Sequence, residues 1–137
     1  MNLTTILFQA HSGWRYLVIL VLVLALLKFL IGLLAKQQWS KLDRTLGTVT
    51  SIVIGIQWLL GLGLWALAPA AWFLNLGSVN FAEHIGTMTL ALVAAQIASG
   101  RAKRAPSDAA KYRIAFIGFL IAGLLVALGV ARITQVI

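Results

Sequence analysis

Cysteine is absent from the 137 residues, acidic side chains number only 3, and charged residues of either sign make up 10%. The first absence excludes a secreted disulfide scaffold, a thiol enzyme, and any zinc or iron–sulfur site held by cysteine. The few carboxylates offer no convincing acid–base pair, and Ser12 and Ser51 have no positioned base, so no hydrolytic centre is expected. Enzyme activity by the chain on its own is therefore not expected. Apolar residues dominate instead, at 61% with a mean hydropathy of +0.99. Soluble domains carry about 45–50% apolar and about 25% charged residues. The composition thus excludes a disordered tail and a water-soluble domain alike, and it points to an integral membrane protein with one domain.

Four apolar stretches, at about 3–35, 45–67, 81–99 and 114–131, are near or above the roughly 20 residues a helix needs to cross a bilayer. They show no alternation with a period of two, which favours helices over a barrel. The N-terminus lacks a basic segment and its apolar run is too long for a signal core, so no cleavable signal is expected. Short connections make neighbouring helices antiparallel. The expectation is all-α: an up-down four-helix bundle, with residues 1–137 as a single transmembrane domain.

The net charge of +8 is distributed unevenly. Of the 11 Lys and Arg, Lys36, Lys41, Arg44, Arg101, Lys103, Arg104, Lys111 and Arg113 fall in two connections, 36–44 and 100–113. The third connection, 68–80, has none. By the positive-inside rule both basic loops face the cytoplasm and both termini face outward. Topology, rather than nucleic acid or another polyanion, is the expected meaning of the charge. The apolar connection 68–80 holds Trp72 and Phe73 and is expected to lie in the outer interface. Trp14, Trp65 and Trp72 would form the outer aromatic belt, with Trp39 and Tyr112 in the inner one.

Ionisable residues within a span are costly and mark candidate functional positions. They are His11, Arg15 and Lys28 in the first stretch and Glu83 and His84 in the third; Gln57 is the strongly polar residue in the second. Lys28 is expected to snorkel to the cytoplasmic interface on its long stem. His11 lies 17 residues from Lys28, and His84 lies 17 residues from Arg101. Both therefore sit roughly 25 Å above the basic interface. The same count from Arg44 and Arg113 reaches Gly61 and Val130, the latter beside Gly129. One turn deeper, Arg15, Gln57 and Met88 share a level, where Arg15 and Gln57 are placed to hydrogen-bond and Glu83 to neutralise Arg15.

Two histidines on diagonal helices, with glycines on the other two, suit a b-type haem. Such a haem needs no cysteine, takes neutral imidazole on iron and is readily housed in a bundle. His11 and His84 would be its axial ligands, Gly61 and Gly129 would leave room for the macrocycle, and Arg15 and Arg132 would offset propionate charge. Packing of half-polar residues against neighbouring helices accounts for the same histidines without any cofactor. A mononuclear metal on His11, His84 and Glu83 would have a sparse ligand set. A quinone pocket, with His84 and Glu83 exchanging protons and Trp58 as a wall, is a further reading. So is a cofactor-free accessory subunit of a respiratory or photosynthetic membrane complex, a role in which an exposed aliphatic face binds other subunits rather than lipid.

The segments HSGWRYLVI, QWLLGLGLW, FAEHIGTM and GRAKRA follow one another in this order along the chain. In that order and spacing the chain resembles small four-helix bacterial membrane proteins of the cytochrome b-like family. The resemblance includes His11, Arg15, Gln57, Gly61, Glu83, His84 and Met88. It implies a b-type haem, electron transfer with a quinol or a larger redox complex, and residence in the bacterial inner membrane. Two histidines in all permit at most one bis-histidine haem per chain.

Overall fold

The computed structural model describes residues 2–67 and 81–134. Four helices account for nearly all of them: α1 (Leu3–Leu34), α2 (Lys41–Leu67), α3 (Phe81–Arg104) and α4 (Asp108–Ile133). All four are long and apolar enough to cross a membrane. The connection 68–80, with Trp72 and Phe73, lies outside the described residues.

Helices α2, α3 and α4 extend beyond the apolar stretches at their basic ends, and for α2 and α4 capping side chains rather than hydropathy set the boundary. Ser40 and Asp43 form a reciprocal capping box: the Asp43 amide donates to Ser40 Oγ (3.4 Å) and the Ser40 amide to Asp43 Oδ2 (2.9 Å). Helix α2 thereby starts at Lys41, four residues before the apolar run. Ser107 caps α4 by accepting from the Ala110 amide at 3.1 Å. Hence Lys41, Arg44, Arg101, Lys103, Arg104, Lys111 and Arg113 lie on helices, and the connections shrink to 35–40 and 105–107. Helix α1 stops through a left-handed Lys36 (φ 52°). The Gln37 amide reaches the Gly32 carbonyl at 2.9 Å, and the Lys36 amide reaches Leu33 at 3.4 Å. That is the Schellman pattern, with lysine where glycine is usual.

Helix α1 packs on α2 and α4, α3 packs on the same two, and α1 and α3 face each other across the diagonal. Every neighbouring pair is antiparallel, as the cross-helix contacts show. Thr4 meets Leu67 while Lys28 meets Asp43; Glu83 meets Arg132 while Ala98 lies against Gly118. The core is a narrow column including Leu22, Ala25 and Phe29 of α1, Val53 and Ile54 of α2, Ala91, Ala95 and Ala98 of α3, and Ala115, Phe119 and Ala122 of α4. Alanines line the inward face of α3, so α4 approaches it closely; a β-carbon at Gly118 would overlap Ala98 Cβ. Large aliphatic side chains such as Leu20, Leu24, Leu27, Leu90 and Leu124 point outward and are at least half exposed. An outer face this apolar is compatible with the hydrocarbon of a bilayer.

Candidate functional site

The histidine end of the bundle is built from all four helices. His11 of α1 and His84 of α3 come together across the diagonal, with ring centres 6.4 Å apart and ring planes at 83°. Gln57 of α2 donates its amide to the His11 carbonyl at 2.8 Å. Among the described residues, the buried side-chain polar atoms that lack a hydrogen-bond partner are His11 Nδ1, His84 Nδ1 and Gln57 Oε1. All of them belong to this one layer. Each such atom costs about 1–3 kcal/mol unless something, a water included, pairs with it, so the layer stands out as the candidate site.

Gly61 and Gly129 each leave a notch that a side chain of the bundle enters. A β-carbon at Gly61 would lie 2.9 Å from His11 Cε1, because the imidazole leans into the notch that glycine leaves. The notch at Gly129 is filled in the same way by the terminal methyl of Met88, which a β-carbon there would overlap. Glycine at these positions admits side chains of the bundle itself.

Arg15 does not reach Gln57. Its guanidinium turns outward over the Tyr16 ring, 5.1 Å from the centroid, and lies 3.5 Å from the Tyr16 hydroxyl. Nor does Glu83 pair with Arg15. It takes two hydrogen bonds from Arg132 of α4, at 2.9 and 3.3 Å, and so ties α3 to α4 at the rim. Helical geometry is the reason: Glu83 precedes His84 by one residue and points about 100° away from it, toward α4 rather than α1. Trp58 donates to Thr89 at 2.9 Å, bridging α2 and α3 just below the histidines. Trp14, expected in the outer belt, donates to the Val53 carbonyl at 2.9 Å and belongs to the α1–α2 interface. Trp65 is 48% exposed and stacks on Phe81.

A second polar cluster sits at the basic end, and its composition was not read from the sequence. Asp43 is fully buried and accepts from Lys28 Nζ (2.6 Å), the Tyr112 hydroxyl (2.6 Å) and both the amide and hydroxyl of Ser40 (2.9 Å each). Lys28 also donates to Gln37 Oε1 at 3.1 Å. It is thus held by a buried carboxylate instead of snorkelling free. Tyr112, expected at the interface, is 1% exposed and lies against Trp39. The S-K-L-D spacing at residues 40–43 was the available signal: it is a capping box, and its carboxylate stands at the level of the one lysine deep in α1. Among the described residues, no three His, Asp or Glu side chains converge in a way that would hold a metal ion.

The fold and this layer together define a class: a four-helix bundle fit to span a membrane, with a diagonal histidine pair near one end. No family model, no curated protein and no solved structure matches the chain.

Proposed function

We propose that the chain is a multi-pass protein of the bacterial inner membrane that binds one b-type haem between His11 and His84. It would exchange electrons with a quinol or with other subunits of a redox complex. In this reading the basic end faces the cytoplasm and both termini lie outside, because nine of the 11 Lys and Arg, Lys28 included, stand at that end. The observation that carries the haem is the diagonal pair of imidazoles 6.4 Å apart, in the layer that holds the unpartnered polar atoms. Imidazole nitrogen binds a first-row ion such as zinc at about 2.0–2.1 Å, so two rings sharing one ion have centres about 6 Å apart.

The donor set fits the group. His11 and His84 supply the two imidazoles, and Gln57 carries a free acceptor beside His11 of the kind a ligating imidazole's second nitrogen requires. Arg132 at the rim is the cation nearest this layer's carboxylate and is placed to share its charge with propionates. Met88 is the side chain that must turn to open the Gly129 notch, which its unbranched stem allows. A bound haem would supply a one-electron couple; the chain's own residues would orient and insulate it.

The filled notches at Gly61 and Gly129 favour a second reading, in which the layer packs without a cofactor inside an accessory subunit or walls a quinone. A dithionite-reduced minus oxidised visible spectrum of the detergent-purified protein, expressed with haem supplied, separates the two. A sharp b-type α-band that disappears in His11→Ala and in His84→Ala is the expected result. A flat spectrum at good protein yield overturns the haem reading in favour of the second, and haem retained in either variant overturns that histidine as its ligand.

A further inference from the structure

The positive-inside rule explains why lysine and arginine collect at one end, but not why some of them surround a hollow. Between the starts of α2 and α4 and the end of α3 lies a cleft of about 430 Å³, lined by Trp39, Arg44, Gly100, Lys103, Arg104 and Lys111. Four of its six lining residues are cations and none is acidic. Among the described residues the ion pairs are Lys28–Asp43 and Arg132–Glu83, so none of the four lining cations is neutralised by a carboxylate.

One of these cations is set in place by the backbone, and a second lies over a glycine. Lys111 donates to the Lys103 carbonyl at 2.8 Å and the Ala102 carbonyl at 3.4 Å, which fixes its ammonium at the end of α3. Arg104 folds back over Gly100, where a β-carbon would lie 3.4 Å from its Nη2. Glycine at position 100 thus leaves the floor of the cleft open to the guanidinium. Trp39 forms one wall and is itself held by stacking on Phe29 and by an edge contact with Tyr112. Like charges held around one hollow repel each other unless an anion sits among them.

We propose that this cleft is a binding site for the phosphate of an anionic phospholipid. The inference rests on the membrane orientation given above, and not on the haem. The lipid is favoured over a free anion because the cleft opens at the ends of the spans, where headgroups lie, directly above apolar surface. Ile97, one turn along α3 from Gly100, is 52% exposed, giving an acyl chain a face to follow. Basic pockets between spans on the cytoplasmic side are suited to such headgroups.

Native mass spectrometry of the full-length protein, titrated in detergent with phosphatidylglycerol, phosphatidylcholine or inorganic phosphate, tests the site. One saturable phosphatidylglycerol adduct per chain is expected, with phosphatidylcholine binding far more weakly. Arg44→Gln and Arg104→Gln should each weaken that adduct about fivefold, the effect of one cation near the membrane surface. Arg113→Gln, an exposed cation outside the cleft, should leave it unchanged. Equal weakening by Arg113→Gln, or equal binding of both lipids, overturns the site. Inorganic phosphate displacing the lipid at millimolar concentration overturns the lipid as its occupant. Because these arginines are exposed, folding of the variants is checked by an unchanged thermal midpoint without lipid. Should Arg44→Gln fail that check, Lys103→Gln takes its place with the same expected loss. His11→Ala should lose haem and keep the lipid adduct, so failure of one proposal is distinguishable from failure of the other.

Discussion

Asp43 shows how one buried side chain can serve two ends. Its carboxylate starts α2 through Ser40 and also receives Lys28 and Tyr112, so a cap and a tertiary ion pair share four oxygen lone-pair sites. Asp43→Ala removes both at once and strands the Lys28 ammonium. A loss of about 3 kcal/mol of stability is expected, at the low end for a broken buried pair because Lys28 remains 26% exposed. Lys28→Met/Asp43→Asn removes both charges while keeping an acceptor for Tyr112, and it should cost less than Asp43→Ala alone. Equilibrium unfolding in detergent gives the comparison; a single variant no worse than the double would mean that the pair is not coupled. The histidine layer is read at the same scale through the spectrum of its two alanine variants.

Helix pairing in this bundle depends on what faces each glycine. At Gly118 a new β-carbon meets Ala98, including its Cα at 3.2 Å, and the backbone of α3 cannot step aside without parting from α4. At Gly32 the obstacle is the Tyr112 ring, pinned by Asp43 and Trp39. At Gly129 it is only the end of a flexible methionine. Gly118→Ala and Gly32→Ala should therefore each cost about 1–3 kcal/mol, as overpacked sites do, and Gly129→Ala distinctly less. Thermal midpoints of the purified variants rank the three; a Gly129→Ala loss equal to the others would show that Met88 is fixed in its notch. The alanines lining α3 lead to the same conclusion, since small side chains let backbones approach where lipid offers no hydrophobic drive for association.

At the scale of the whole molecule, the native absence of cysteine makes topology directly measurable, since any introduced thiol is unique. Gln37→Cys and Pro106→Cys place exposed probes in the two short connections at the basic end, and Thr134→Cys places one after α4. With the basic end in the cytoplasm, an impermeant maleimide should label position 134 in intact cells and positions 37 and 106 only after the membrane is opened. The reverse pattern would invert the orientation and move the basic cleft to the outer leaflet. Labelling of all three in intact cells would mean that the chain does not span the membrane.

Much of the architecture was legible in composition and periodicity. Four long apolar runs, joined by two basic connections and one of 13 residues without charge, leave few arrangements other than antiparallel helices, because backbone polar groups in hydrocarbon must be satisfied within the helix. Helix ends were less legible at the basic side: hydropathy stops at the lipid, whereas Ser40, Asp43 and Ser107 carry the helices several residues further. Equal spacing from the basic residues put His11 and His84 at one depth, and rise per residue is all that this step requires. Azimuth was beyond such counting. Whether Glu83 turns to Arg15 or Arg132, whether Arg15 faces Gln57 or Tyr16, and whether a notch at Gly129 stays open or takes Met88 depend on the rotation of each helix about its axis. Rotation is set by side chains interlocking across interfaces. By itself, then, the amino-acid order determined which four stretches are helices long and apolar enough to span a membrane and that His11, His84 and Gly61 share a level, because those follow from hydrophobicity and a fixed rise. Only tertiary structure decided which residues touch within a level, because that is a property of several packed helices and of no single one.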